Sequence, residues 1–455
     1  MLFSSLIFLF GFLPVTLAVY FLTPARLRNL LLLLASLFFY AWGEPVFVLA
    51  LAASVLWNYC WGLALGRAKC GKIPLILGVA GNLLLLFYFK YLNFTASVLS
   101  RVLERIGCSP WEIRYVILPV GISFFTFQSI SYLADVYRDR SLCRRNFTNL
   151  ALYITLFPQL IAGPIVRYGA ISRELDERRS TLFDTAEGLQ QFLFGLGAKV
   201  LLANPAGEIA DRIFAIPAGE LSARAAWLGV IAYSLQIYYD FSGYSSMAIG
   251  LGRIFGFHFP VNFNYPYVAG SISDFWRRWH ISLSTWFRDY VYIPLGGSRG
   301  SDGRTACNLM IVFLLTGIWH GASWNFLVWG LWYGVLLVAE KFLFRGRLPG
   351  WAMRIWTLLA VVNGWVIFRS ETLGGARDFF RSMYGGGAAA AIPLHELCSG
   401  REWFFLAAGI LLAAPWAAKL FGKPPVGRIV SLLILILSLA ALARGAYNPF
   451  LYFRF

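Results

Sequence analysis

The sequence predicts an all-α polytopic membrane protein, and three observations carry that prediction. Hydrophobic residues make up 59% of the 455 and charged residues only 13%, with a mean hydropathy of +0.65, far outside the range of soluble domains. Four runs, 2–23, 46–66, 115–134 and 146–166, contain no Asp, Glu, Lys or Arg. Each reaches or approaches the roughly 20 apolar residues that a helix needs to cross about 30 Å of hydrocarbon. The net charge of +17 could point to nucleic acid, but the basic residues sit in short loops between apolar runs, which is a membrane pattern.

Taken in chain order, the candidate spans are 2–23, 30–43, 46–66, 73–89, 115–134, 146–166, 188–207, 225–252, 307–339, 355–368, 403–418 and 429–443. Asp240 interrupts 225–252 and His320 alone interrupts 307–339. Allowing for the short ones, about eleven to thirteen membrane segments are expected. Loop arginines and lysines set orientation, so Arg26 and Arg28, then Arg67, Lys69 and Lys72, then Arg138, Arg140, Arg144 and Arg145 read as cytoplasmic. Met1 then faces outward, and the first run lacks the basic n-region of an ordinary secretory signal peptide. The longest polar stretches, 167–187 and 369–402, are too short to bury a core of their own, so residues 1–455 read as a single membrane domain. No internal repeat is visible, which argues against repeat-built transporters.

The segment LFPQLIAGPIVRY, residues 156–168, is unlike an ordinary span. Pro158, Gly163 and Pro164 should break a helix, and arginines flank it on both sides. It reads as a re-entrant element, with a Pro-kinked span as the alternative; non-helical backbone at membrane depth survives only inside protein or along a wet cavity.

A second unusual stretch is DFWRRWHISLSTWFRDYVYIPLGG, residues 274–297. At 100° per residue, Trp276, Trp279, His280, Leu283, Trp286, Phe287 and Tyr290 share one face, and Arg277, Arg278, Ser282, Thr285, Arg288 and Asp289 the other. The spacing predicts an amphipathic helix of about four turns, too polar to span lipid, lying at the membrane surface or a cavity rim. His280 points inward with the aromatics, where a histidine is more often a hydrogen-bonded core residue than a reactive one.

His320, in LLTGIWHGASWNFLVWGLWYG, comes 13 residues after Cys307, or about 20 Å along a helix. An ionisable group near mid-membrane is costly and reads as functional by default. Gly317 and Gly321 leave room beside it, and Ser323 and Asn325 can hydrogen-bond nearby; a histidine packed in a glycine-rich interface is the competing reading. Asp240 is the third polar group at depth. It reads as structural, either the N-cap of a broken helix or the partner of an arginine such as Arg277.

Few reactions fit these groups. Six scattered cysteines without a C-x-x-C pair suggest neither a zinc site nor a disulfide framework, and His258 and His395 lack helical spacing to the other two histidines, so no metal is expected. The N-F-T sequons at Asn93 and Asn146 are weak signals. General-base catalysis needs one neutral imidazole. His320 could take the proton of an acceptor hydroxyl attacking an activated acyl group, while His280 orients the acceptor or bonds the acyl carbonyl. A proton path through His320 and Asp240 in a transporter is the alternative from another class.

At these residues the sequence resembles the membrane-bound O-acyltransferase (MBOAT) family, and within it the AlgI-like bacterial branch. The motifs are LPVGISFFTFQSISYLADVYR (118–138), LFPQLIAGPIVRY, YYDFSGYSSMAIGLGRIFGFHFPVNFNYPY (238–267), the polar stretch at 274–297, TGIWHGASWNFLVWGLWYG (316–334) and the tail YNPFLYFRF (447–455). The resemblance implies about 11 transmembrane helices, with re-entrant and amphipathic helices, around a central tunnel with a funnel on each side. It implies His320 as the catalytic residue with His280 assisting, and Trp276, Trp279, Trp319, Ser323, Asn325 and Asp240 lining the tunnel or substrate. It further implies a bacterial cytoplasmic-membrane enzyme that takes acetyl from a cytoplasmic thioester, acetyl-CoA or an acyl carrier, as substrate rather than bound cofactor. The group would pass outward for O-acetylation of alginate or another surface glycan, with an extracytoplasmic SGNH-type partner. D-alanyl transfer to teichoic acid, by a related branch, is the nearest competitor.

Overall fold

The computed structural model describes residues 1–67, 71–344, 348–386, 392–422, 425–445 and 447–451. Lys69, Cys70 and the last four residues of the tail motif lie outside the described residues. Among the described residues the structure is helical with no strand. Six helices are long and apolar enough to cross a membrane: Ala25–Gly43, Val48–Leu65, Ile73–Arg105, Trp324–Phe344, Gly350–Arg369 and Val426–Ala443. The remaining expected spans are shorter, broken or enclosed by protein. The chain divides into two compact units, Met1–Thr185 with Gly252–Pro260, and Ala186–Leu251 with Val261 onward.

In the first unit the Ile122–Arg138 helix is the core element, with thirteen buried residues. It starts at Ile122 rather than at 115 because Gly121, at φ +80°, turns the chain there. A Cβ on Gly121 would lie 2.7 Å from the Leu160 carbonyl oxygen, so only glycine fits. Asn58 and Asn82 exchange two amide hydrogen bonds of 3.0 and 2.8 Å, which satisfy both side chains where water is absent. Residues 149–166 are buried throughout. Helix Phe147–Thr155 stops at Leu156, one short turn, Phe157–Leu160, follows, and helical structure resumes only at Tyr168. The broken backbone finds partners inside protein: Phe157 N–H donates to Ser36 Oγ at 3.0 Å and Tyr153 O–H donates to the Val166 carbonyl at 2.9 Å. That arrangement makes a non-helical segment tolerable in an apolar surrounding.

The second unit is organised by the Ala223–Ile254 helix, 32 residues, about 48 Å long at 1.5 Å per residue. Asp240 lies within it and caps nothing. Glycines let the Leu182–Gly197 helix approach it backbone to backbone: a Cβ on Gly195 would stand 2.5 Å from the Gly243 carbonyl oxygen, and one on Gly250 2.4 Å from that of Gly188. Such small-residue seams replace the hydrophobic drive that lipid removes. Just past the seam, a π-helical turn at Ala198–Ala203 carries Lys199.

The expected 307–339 span is two helices, Asp302–His320 and Trp324–Ala339. Gly321 is extended, at φ −170° and ψ 160°, so His320 ends a helix instead of interrupting one. The two helices cross at Gly317 and Gly330, where a Cβ on either would lie 2.3 or 2.5 Å from a carbonyl oxygen of the other helix, Phe326 or Phe313. That crossing fixes how His320 is presented.

Candidate active site

The polar stretch at 274–297 is not one helix. It forms Ile272–Arg278 and Ile281–Phe287, followed by a π-helical turn at Arg288–Tyr292. The break falls at Trp279 and His280, and His280 adopts a left-handed backbone at φ +43°. A non-glycine residue there costs of order 1–3 kcal/mol and persists only where its surroundings hold it. Asn262 supplies that hold. Its carbonyl accepts Ile281 N–H at 2.9 Å, and its Oδ1 accepts Ser282 N–H at 3.1 Å and Ser282 Oγ–H at 2.9 Å. The same Oδ1 stands 3.2 Å from His280 Nδ1.

The break turns His280 into the interior, where it is 1% exposed. Phe241 meets its ring edge-on at 4.6 Å, and Trp319 stands 5.9 Å away. His320, the next residue in the chain, has its ring 4.9 Å from the same indole. Trp329 and Phe368 approach His320 edge-on at 5.0 and 5.2 Å. The two histidines therefore contact one indole inside an aromatic shell.

A small cavity opens at His320, lined also by Ile237, Asp240, Phe241, Trp279, Trp329, Trp365, Phe368 and Leu451, and it leaves about 10 Å³ for the centre of a water molecule. That is near the minimum that holds one water. Asp240 faces it with both oxygens engaged. Oδ1 lies 2.7 Å from Lys199 Nζ, and Oδ2 accepts Leu451 N–H at 2.9 Å. Lys199 also donates to the Pro449 carbonyl. Asp240 thus pairs with Lys199, a partner 41 residues away in sequence, and not with an arginine.

Of the expected site residues, the structure brings His280, His320, Trp279, Trp319 and Asp240 together. Trp276 stands one layer back, edge-on to Trp329 at 5.6 Å and to Tyr333 at 4.8 Å. Asn325 turns away, donating to the Ser370 carbonyl at 2.7 Å and the Ile367 carbonyl at 3.3 Å; it ties the start of its own helix to the end of Gly350–Arg369. Ser323 lies in the extended link before Trp324 and does not line the cavity. Sequence reasoning missed Asn262, Lys199, Trp365, Phe368 and Leu451. Lys199 alone carried a signal, since a lysine in an apolar run calls for a carboxylate. Among the described residues no group of three His, Cys, Asp or Glu side chains is placed to hold a metal ion.

Comparison with known proteins gives four further findings. Residues 83–367 match the model of the membrane-bound O-acyltransferase family. The chain is 40% identical over 504 aligned positions to the protein named "Probable alginate O-acetylase AlgI" of Azotobacter vinelandii, covering all of both chains. It is 45% identical to the protein of the same name in Pseudomonas aeruginosa, over 85% of this chain and 75% of that one. A peptidoglycan O-acetyltransferase of Helicobacter pylori is 36% identical over 85% of this chain and 80% of its own.

Proposed function

Since the chain belongs to the membrane-bound O-acyltransferase family, and is a multi-pass membrane enzyme, we propose that it moves an acetyl group from a cytoplasmic thioester, acetyl-CoA or an acyl carrier, to an extracytoplasmic polysaccharide. The observation that carries this reading is the pair of buried histidines that both contact Trp319. Two imidazoles in an aromatic enclosure suit acyl transfer to a hydroxyl, where one base and one orienting group suffice.

His320 takes the proton of the acceptor hydroxyl as its oxygen attacks the thioester carbonyl carbon. The C–S bond then breaks and the thiolate leaves, receiving that proton. The role of His280 follows from Asn262. Because Asn262 Oδ1 accepts the Ser282 backbone N–H, it is an acceptor toward His280 Nδ1 as well, so Nδ1 carries the hydrogen. In the neutral ring Nε2 is then an acceptor. Such a ring holds the acceptor hydroxyl by receiving its hydrogen bond and does not donate to the acyl carbonyl.

The relatives named for alginate and peptidoglycan O-acetylation support an acetyl group and a surface glycan of the alginate type. The bacterial cytoplasmic membrane is the corresponding location, with an SGNH-type protein as outer partner. The test is to supply the purified chain in lipid nanodiscs with acetyl-CoA or acetylated acyl carrier protein and record thiol release together with labelled acetyl in an added glycan. Acetyl transfer is expected from one donor. Ion or solute flux with no thioester consumed would instead establish the transporter reading.

A further inference from the structure

Leu451 reaches the histidine cavity from the last described segment of the chain, and that segment is fixed at successive residues. Tyr447 O–H donates to Asp211, Asn204 Nδ2 donates to Asn448 Oδ1 at 3.3 Å, and Phe450 packs on Tyr244 at 4.6 Å between ring centres. Lys199 and Asp240 then hold Pro449 C=O and Leu451 N–H from the two ends of one ion pair. The side chains of Lys199 and Asp240 are only 4% and 2% exposed. A buried ion pair is rigid because each charge loses its water and must keep its partner. Leu451, 3% exposed, is therefore held as a fixed wall.

The space it bounds is small. About 10 Å³ for the centre of a water molecule corresponds to one water or one methyl group. Besides Ile237, the other apolar walls of the cavity are rings, among them Trp329, Trp365 and Phe368, which pack against one another. Leu451 is an aliphatic wall whose size can be cut without removing a ring. A charged acyl group is also excluded, because the Asp240 carboxylate is already shared between Lys199 and Leu451 N–H and would leave a buried ammonium without a counter-ion.

We propose that Leu451, pinned by the Lys199–Asp240 pair, sets the acyl group to an uncharged two-carbon unit by closing the cavity beside His320. This rests on the acyl-transfer reading above. On this proposal the methyl of an acetyl group would fill the available space, and a propionyl chain would meet the Leu451 side chain. One methylene against a fixed apolar wall is worth roughly 10- to 200-fold in discrimination.

The experiment compares acetyl, propionyl, butyryl and D-alanyl thioesters of CoA and of acyl carrier protein as donors. Membranes carry the full chain as wild type, Leu451→Val or Leu451→Ala, and acyl transfer to glycan is the readout. The wild type is expected to prefer acetyl over propionyl by about 10-fold or more and to refuse D-alanyl. Leu451→Val is expected to narrow the propionyl-to-acetyl gap, and Leu451→Ala to narrow it further and admit butyryl. A ratio rather than a rate is read, so a general loss of folding leaves it unmoved. An unchanged ratio in both variants would overturn the proposal, and so would loss of all transfer in both at normal membrane abundance, because a loosened wall should still pass acetyl. A wild type that transfers no acyl group from any donor would instead contradict the function, not the wall.

Discussion

Lys199 Nζ lies 2.7 Å from Asp240 Oδ1, with both side chains almost fully buried. Removing one partner strands the other charge without water. Lys199→Met or Asp240→Asn alone is expected to destabilise the protein by about 3–5 kcal/mol. The double variant Lys199→Met with Asp240→Leu is expected to lose much less than the sum, since no buried charge remains. Thermal unfolding of the detergent-solubilised protein measures the coupling, and additive losses would show that the pair holds nothing.

Asn262 gathers three hydrogen bonds on one oxygen, from Ser282 twice and from His280. Asn262→Ala removes the group that keeps His280 in its left-handed conformation. With a lost buried hydrogen bond worth about 1–3 kcal/mol, turnover should fall roughly 10- to 100-fold. Half-saturation by the thioester donor should change little, because in the proposed mechanism Asn262 acts through His280 on the acceptor. Initial rates against donor concentration separate these two effects.

Gly317 lets two helices meet where His320 is presented. A Cβ there would stand 2.3 Å from the Phe326 carbonyl oxygen, and backbone cannot step aside as a flexible side chain can. Gly317→Val is expected to cost at least about 1–3 kcal/mol and to lower activity with it. Gly303→Ala, in the first turn of the same helix and with nothing within 4 Å of the new methyl, is expected to leave both unchanged. Comparing melting temperature and turnover of the two variants checks this.

The membrane character, the broken element at 156–168 and the burial of His280 and His320 among aromatics were legible in the sequence because each is a local signal: an apolar run, two prolines, or an ionisable residue among apolar ones. The four-turn polar helix was not read correctly. Its 3.6-residue periodicity continues in the sequence across Trp279 and His280, while the break is imposed by Asn262, 18 residues upstream of His280. Asp240 gave the same difficulty. Its depth announced a partner, but Lys199 is brought to it by the glycine seam at Gly195 and Gly243, a contact that no local pattern encodes. Asn325 misled for the opposite reason. It is near His320 in sequence, yet the extended link at Gly321 reverses the chain, and its amide meets the carbonyls at the end of another helix.

The central claim is that His320 is the base for acyl transfer and that His280 orients the acceptor. The most direct measurement is acetate esterified to surface glycan in cells carrying wild type, His320→Ala or His280→Ala at matched membrane abundance. His320→Ala should lower acetylation by about 10²- to 10⁴-fold, the usual contribution of a general base, and His280→Ala should lower it by less. Unchanged acetylation in both variants would make the two histidines packing residues around Trp319 and contradict the account.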